Sequence, residues 1–549
     1  MTSHSAAVEF PVPPDMRGGF WQWDKMHAPR PLTPLSQDFM FDNVSSGFTA
    51  GMDELGCPLG FAMKTVNYYR YAAMYPLDPP GQDNPARRAR YARTMSEVLP
   101  RMGELWEKEW LPSILPALKK ARETNYASLS DSQLLATLEE QRKDVHNRYT
   151  VHGKINFVTI SASMFADFYN EVFSPEDPTE PYAILQGFPT RSLDAGRGLW
   201  RLSRKIKQGA ALRQVFEKSE PSQITAQLEK TPEGKEFLKD FRAYLDEFGW
   251  RSDAFDLSDA TWREDPRIPL NTLQGYLRLG DEGDPEVRYQ ESIKVRERLL
   301  AAARSKLGKD PVRLARFNQL YEMARHYLPI TENHNFYIDQ IGNAVVRLPV
   351  TEAGRRLAGK GLLNGPDDIF MLHMNEVGEC FNGKDQRSLA SKRRAEIEKW
   401  SKVIPVPVIG EPPPHHDGPP DPLVGAFMKM FGLPVEPSRD PSVITGIGAS
   451  AGVARGRARI VRSLAEGSKL QKGDIMVCEM TMPPWTPLFS TVSAVVADTG
   501  GVLSHCAIVS REYRMPCVVG TRVGTAVIKD GMMLTVDGSK GIVRIDARS

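Results

Sequence analysis

Between Ala497 and Gly520 the chain reads ADTGGVLSHCAIVSREYRMPCVVG, and the way this stretch folds decides the reading of everything around it. Gly500 and Gly501 permit backbone conformations closed to other residues and let a ligand approach closely. Ser504 is a natural N-cap, so a helix is predicted to begin at Ser504 or His505 and to run through Tyr513. His505 then occupies the first turn, where unpaired N–H groups and the positive end of the helix dipole favour an anion. A neutral imidazole in that position can act as a nucleophile. Taken alone, such a histidine reads as an ordinary capping residue; the longer string changes that reading.

Short β-branched runs surround the segment: RGRARIVRS, DIMVCEM, SAVVADTGG, PCVVGT, MMLTVDG and GIVRI. They read as strands separated by tight turns, with the His505 helix interrupting them. Before them, residues 404–422 read IPVPVIGEPPPHHDGPPDP. Neither a helix nor a central strand tolerates that density of proline, so a semi-rigid spacer or a long surface loop is expected, with His415 and His416 solvated. Further upstream the pattern is helical. Ser130 to Gln133 forms a capping-box arrangement ahead of LLATLEEQRKDVHNRYTVHGKINF, and 86–121, 222–248 and 284–327 look similar. Trp106, Trp110, Phe241, Tyr244 and Phe248 read as core of this helical body, and His146 and His152 as surface or core histidines.

The 549 residues exceed one hydrophobic core, and two or three domains are expected. Lys plus Arg (70) nearly balance Asp plus Glu (68), which leaves no field to draw the chain to nucleic acid or a membrane surface. The longest apolar stretches fall far short of the roughly 20 residues of a spanning helix, and the N-terminus lacks a signal-peptide pattern. Five scattered cysteines without a CxxC pair fit a reduced cytoplasm better than a disulfide framework or a zinc site, and no metal site is expected.

The histidine string resembles the swivelling phosphohistidine domain of the phosphoenolpyruvate-utilising family, which contains pyruvate phosphate dikinase, phosphoenolpyruvate synthase and rifampin phosphotransferase. The resemblance rests on Gly500, Gly501, Ser504, His505, Ala507, Ile508, Val509, Arg511, Glu512, Pro516, Val518, Val519 and Gly520. Flanking matches are Gly446 to Gly456, then Thr481, Pro483, Trp485 and Pro487, then Asp530-Gly531 and Val536-Asp537-Gly538. Cys506, often alanine in that family, and Pro484 depart from the pattern; Cys506 reads as a small buried residue. The resemblance implies that His505 takes a phosphoryl group at one site and swings to a second, with the Pro-rich segment as hinge. It also implies that Thr499, Gly500, Gly501 and Ser504 support the phosphohistidine, Thr499 by orienting the imidazole.

WDKMHAPRPLTPL (23–35), FGWRSDAFDLSDATWREDP (248–266) and Asp367 to Phe370 resemble the acceptor domain of rifampin phosphotransferase. In domain content the chain is also similar to the histidine-bearing subunit of phenylphosphate synthase and 4-methylphenyl phosphate synthase. Neither the three-carbon-substrate barrel of the family after Arg544 nor an ATP-grasp phosphate loop in residues 1–400 is found in this sequence. The resemblance therefore implies ATP and Mg2+ held by a partner ATP-grasp subunit, and a small aromatic hydroxyl of phenol or cresol type as acceptor. The expected fold class is multidomain, α plus α/β: a large helical acceptor domain (1–403), a Pro-rich hinge (404–440) and a small β/α swivelling phosphohistidine domain (441–549). A rifamycin-like antibiotic phosphotransferase with a separate ATP-binding chain and a phosphocarrier or regulatory module are the alternatives.

An acceptor hydroxyl needs a base, and the transferring phosphate needs cations or donors. In Thr331-Glu332-Asn333-His334-Asn335, Glu332 and His334 are candidate bases, against the plainer reading of a polar helix-end turn. Arg251 is a candidate holder of phosphate oxygens or else a structural ion-pair partner, with Asp253 beside it as a substrate-binding candidate. His27, Lys64 and Tyr68 are further substrate-binding candidates, the last two from FAMKTVNYYRYAAMY (61–75), which was also open to reading as the core face of a helix.

Overall fold

The computed structural model describes residues 10, 13–16, 19–25, 27–78, 82, 84–252, 255–412 and 420–546. His415, His416 and Asp253 lie outside the described residues. The chain forms two compact units, Met1–Ile155 with Ala254–Ala260 and Tyr337–Gly418, and Asn156–Asp253 with Thr261–Phe336 and Pro419–Ser549. This division differs from the boundaries expected at 403 and 441: the helical sequence is shared between two cores. Helical periodicity shows which face of a helix is buried, but not which other helices bury it.

In the first unit, helix Pro34–Glu54 packs along helix Asp131–Ile155. Their backbones meet at glycine. A Cβ on Gly51 would lie 2.0 Å from the Thr150 carbonyl oxygen, and one on Gly153 would lie 2.3 Å from that of Phe48. The capping box forms as expected, with the Ser130 amide donating to Gln133 Oε1 (2.8 Å) and the Gln133 amide to Ser130 Oγ (3.2 Å). Beside these helices lies an antiparallel sheet of strands β1 (Trp21–Trp23), β2 (Leu59–Val66), β3 (Tyr69–Pro76) and β4 (Val408–Ile409), in the order β2-β3-β1-β4. The segment 61–75, open to a helical reading, is therefore a hairpin. Asn67 and Tyr68 form its two-residue turn with φ of +50° and +68°, a turn that matches the twist of the strands it joins. Tyr69 and Tyr71 alternate inward onto Trp21, Val66 and Ile409. The tyrosine spacing suits both periods, and partners distant in sequence select the strand.

In the second unit, helices Thr159–Phe173, Pro285–Lys306 and Pro311–His334 pack around a core of Phe165, Phe317 and Tyr321, and helices Arg191–Gln208 and Pro232–Phe248 belong to the same unit. Against them stands a sheet of β5 (Val443–Thr445), β6 (Ile447–Ser450), β7 (Val453–Ile460), β8 (Ile475–Cys478), β9 (Ala494–Ala497), β10 (Cys517–Val519), β11 (Met533–Asp537) and β12 (Ile542–Ile545). Its order is β5-β12-β11-β7-β8-β9-β10-β6, with β7, β8, β9 and β10 parallel. Each of the sequence-expected strands falls in this sheet.

The expected hinge is structured in its second half. Pro422–Phe431 is a helix with proline at its first turn and the Asp421 carboxylate accepting the Leu423 amide. Lys429 Nζ reaches Asp167 (2.5 Å) and Ser163 Oγ (2.8 Å) on helix Thr159–Phe173. Trp106, Trp110, Phe241, Tyr244 and Phe248 are all buried, as core residues should be, the first pair in one unit and the others in the second. Among the described residues, no helix is long and apolar enough to cross a membrane. Gly51→Val, which forces the two glycine-packed helices apart, is expected to cost about 3 kcal/mol in urea unfolding; a change under about 0.5 kcal/mol would contradict the packing.

Candidate functional site

The β9–helix–β10 crossover places His505. A helix that links two parallel strands starts beyond their carboxyl ends, where its free N–H groups face outward to a ligand. Helix His505–Glu512 begins there, capped by Ser504, whose Oγ accepts the Ala507 amide (3.4 Å). Gly500 holds φ at +95°, and a Cβ on Gly501 would lie 2.3 Å from the Lys429 carbonyl oxygen, so the turn needs both glycines. Leu503 leaves this turn to join the helical core of Phe165, Phe317 and Tyr321.

Two threonines from the β8–β9 connection clasp the imidazole. Thr481 Oγ1 lies 3.2 Å from His505 Nδ1, and Thr486 Oγ1 lies 3.3 Å from Nε2. The Thr486 hydroxyl donates to the Pro483 carbonyl (2.9 Å). Each ring nitrogen thus has a hydroxyl within hydrogen-bond distance, and the direction of each bond follows the tautomer of the ring. Phe489 stands edge-on to the ring at 6.4 Å. Thr499, expected to orient the imidazole, instead donates to the Glu479 carbonyl (2.9 Å). It fixes the turn, and the β8–β9 connection that carries Thr481 and Thr486 supplies the hydroxyls nearest the ring.

The helical part of the same unit faces Nε2. Glu332 Oε2 is 3.8 Å away, on the last turn of helix Pro311–His334, and accepts from Ser192 Oγ (3.3 Å). This turn runs into a π-helical stretch, Asn335–Ile341, a distortion frequent at functional sites. His334, two residues on, lies on another face of the helix, and its Nδ1 meets the Ile330 carbonyl (2.9 Å). Glu332, not His334, meets the imidazole.

Arg251 is completely buried nearby. Its Nη2 donates to the Arg191 carbonyl (3.3 Å), while Nε and Nη1 have no partner among the described residues. Its guanidinium carbon lies 5.6–5.8 Å from the rings of Trp262, Phe248 and Phe336. No ion pair joins it to a carboxylate among the described residues.

Burial, reinforced by the Arg251 charge, drives the His505 pKa down to about 3. Burial raises that of Glu332 to about 8, with Glu512 adding to the effect and Ser192 and Arg251 opposing it. At neutral pH the imidazole and the carboxyl therefore face each other uncharged, not as an ion pair. Burial lowers the Arg251 pKa to about 10, which still leaves it cationic. The arrangement joins a neutral imidazole, a proton acceptor at mildly alkaline pH and a buried cation whose Nε and Nη1 have no hydrogen-bond partner among the described residues.

The remaining candidates belong to the other unit. His27 Nδ1 contacts Asp24 Oδ1 at 2.9 Å, and Arg70 also holds Asp24. Burial opposes ionisation of Asp24, but Arg70 and His27 outweigh it and hold the carboxyl well below its usual range. Lys64 Nζ stands 5.4 Å over the Trp21 ring, and the Tyr68 hydroxyl donates to Glu396 (2.8 Å). None of these is brought to His505 within its unit.

Residues 155–332 match the rifampicin phosphotransferase fourth domain, and residues 470–541 match the mobile domain of PEP-utilising enzymes. The chain carries domains of the PEP-utilising family. Chondramide synthase cmdD of Chondromyces crocatus is 31% identical over 557 residues, covering 98% of this chain and 14% of that protein. The uncharacterized phosphotransferase YvkC of Bacillus subtilis (strain 168) is 29% identical, covering 96% of this chain and 62% of its own. Rifampicin phosphotransferase of Bacillus cereus is 26% identical over 55% of this chain and 34% of its own length. The chain thus spans less than two thirds of each of these relatives.

The PEP-utilising domain match includes His505, Thr481 and Thr486, and the rifampicin phosphotransferase domain match includes Ser192, Arg251 and Glu332. Sequence reading missed Ser192 and Thr486. Ser192 belongs to no recognisable pattern, whereas Thr486 lies between Trp485 and Pro487 of the flanking match, and only folding brings them to Glu332 and Nε2. An NMR titration of the His505 ring from about pH 8 to about pH 5 should leave its chemical shift unchanged, whereas an ordinary imidazole titrates near ~6.5. A midpoint above about 6 would contradict the sealed geometry.

Proposed function

We propose that this chain is the histidine-bearing and acceptor-binding part of an ATP-dependent phosphotransferase. His505 receives a phosphoryl group at a partner ATP-grasp subunit that binds ATP and Mg2+, then passes it to an aromatic hydroxyl to give an aryl phosphate. The observation that carries this reading is the buried imidazole, whose Nε2 faces Glu332 while Arg251 is buried nearby with Nε and Nη1 unpartnered among the described residues.

In the transfer, the P–N bond to the imidazole breaks and a P–O bond to the acceptor forms. The imidazole nitrogen keeps its electron pair, and the hydroxyl proton goes to the Glu332 carboxylate. The free N–H groups of Arg251 offer charged donors for phosphoryl oxygens. Exclusion of water matters because water would compete as acceptor. Phe248, Trp262, Phe336 and Phe489 supply flat apolar surface near these groups, which favours an aromatic acceptor. A phenol, with a pKa near ~10, needs only a modest base.

A second reading, a rifamycin-type acceptor, is favoured by the match of 155–332 to the rifampicin phosphotransferase fourth domain. The test is to incubate the chain with the ATP-grasp partner, Mg2+ and ATP, and to look for acid-labile phosphate on the His505 peptide. Discharge by phenol or cresol supports the aryl acceptor, and discharge by rifampicin alone supports the second reading. Label that neither discharges would make the chain a phosphocarrier, and no label with a competent partner would overturn the proposal.

His505→Asn should abolish labelling. Glu332→Gln should leave labelling intact but slow discharge to the acceptor about 10²–10³-fold. Because burial raises the Glu332 pKa to about 8, its base form grows as pH rises. Discharge should therefore accelerate with pH and level off above about 8, and Glu332→Gln should flatten that profile. An unchanged profile in the variant would remove Glu332 as the base.

A further inference from the structure

Directly behind the reactive histidine lies a pair of thiols that the transfer does not use. Cys506 follows His505 in the first turn of its helix, and Cys517 opens β10, the strand to which that helix returns. Their sulfurs are 3.7 Å apart, and both side chains are buried. Cys478, on β8 of the same sheet as Cys517, turns its thiol to the Val496 carbonyl (3.8 Å).

We propose that Cys506 and Cys517 form a reversible disulfide under a hydroperoxide oxidant, and that the bond withdraws His505 from its threonine clasp. Disulfide sulfurs stand about 2.0 Å apart, so closing the 3.7 Å gap brings the sulfurs about 1.7 Å nearer, shared between side-chain rotation and movement of the first helical turn toward the start of β10. Thr481 and Thr486 hold the imidazole at 3.2 and 3.3 Å, close to the limit of a hydrogen bond. They sit on the β8–β9 connection, which the disulfide does not include, so a shift of the helix start breaks those contacts first.

The chemistry balances within the pair and the oxidant. The Cys517 thiolate attacks one peroxide oxygen, the O–O bond breaks, and hydroxide leaves to take up a proton as water. The Cys506 sulfur then attacks the resulting sulfenic sulfur, the S–O bond breaks, and a second water leaves with the thiol proton. Two thiols are oxidised to one disulfide, and one hydroperoxide is reduced by two electrons. The environment divides these roles. Burial opposes ionisation of Cys517, but the Cys506 S–H and the Arg511 guanidinium help to outweigh it and draw the thiol down. The same hydrogen bond, with burial, pushes Cys506 up, as suits the resolving thiol.

The full chain treated with hydrogen peroxide, then denatured, alkylated and digested without reductant, should yield a linked Cys506–Cys517 peptide that a thiol reductant separates. The His505 ring signal in NMR should shift on oxidation and return on reduction, and Cys506→Ala should abolish both responses. Both cysteines remaining alkylatable, or Cys517 pairing with Cys478 instead, would overturn the proposal. A linked peptide without movement of the His505 signal would overturn the coupling to the clasp. None of these readouts requires a phosphoryl donor or acceptor, so they stand apart from the proposed activity.

Discussion

Desolvation of the His505 imidazole constrains everything around it. Removing an imidazole from water disfavours its charged form, which keeps the ring neutral and its nucleophilic lone pair available across the physiological range. A site this dry makes neighbouring charges costly, and the neighbours respond accordingly. Glu332 takes up its proton near neutrality, while Arg251 stays cationic with Nε and Nη1 unmatched among the described residues. A buried cation without a partner is expensive, and such a cost persists where an anion visits the site.

The crossover between β9 and β10 turns this constraint into geometry. It starts the helix beyond the carboxyl ends of parallel strands, and the β8–β9 connection supplies the two threonines. Contacts from the helical part of the same unit then close the site. Leu503 enters the helical core, the Gly187 amide donates to Glu512 (2.9 Å), and the Tyr276 hydroxyl donates to the Pro487 carbonyl (2.8 Å). Glu512, at the far end of the His505 helix, is pushed up to about 7 by burial, the same response as that of Glu332. Apolar contact and neutral hydrogen bonds thus hold this face together, with Lys429–Asp167 and Arg514–Glu291 as ion pairs nearer its margin.

Local chemistry carried much of this into the sequence. The Gly-Gly turn, Ser504 as cap and the β-branched runs are statements about neighbouring residues, and each survives in the structure. Glu332 was legible as a member of the polar run 331–335, and Arg251 as the cation of the FGWRSD segment. Their pairing with His505 was not, because residues 251, 332 and 505 are far apart in the chain. Thr499 misled for the opposite reason: it is adjacent to the glycines, but its hydroxyl is spent on Glu479. The tyrosines of 61–75 fit two periods at once, and only packing against Trp21 and Ile409 separates strand from helix.

By itself the sequence determined where His505 sits on its helix, which strands flank it and which family its string resembles, since caps, turns and periodicity act over a few residues. Only the tertiary structure decided which carboxyl and which cation face the imidazole, that the helical sequence divides between two cores, and that Cys506 touches Cys517. Those outcomes depend on burial and on contacts between distant segments. Their energies arise from excluding water, and no local pattern encodes which surfaces will exclude it together.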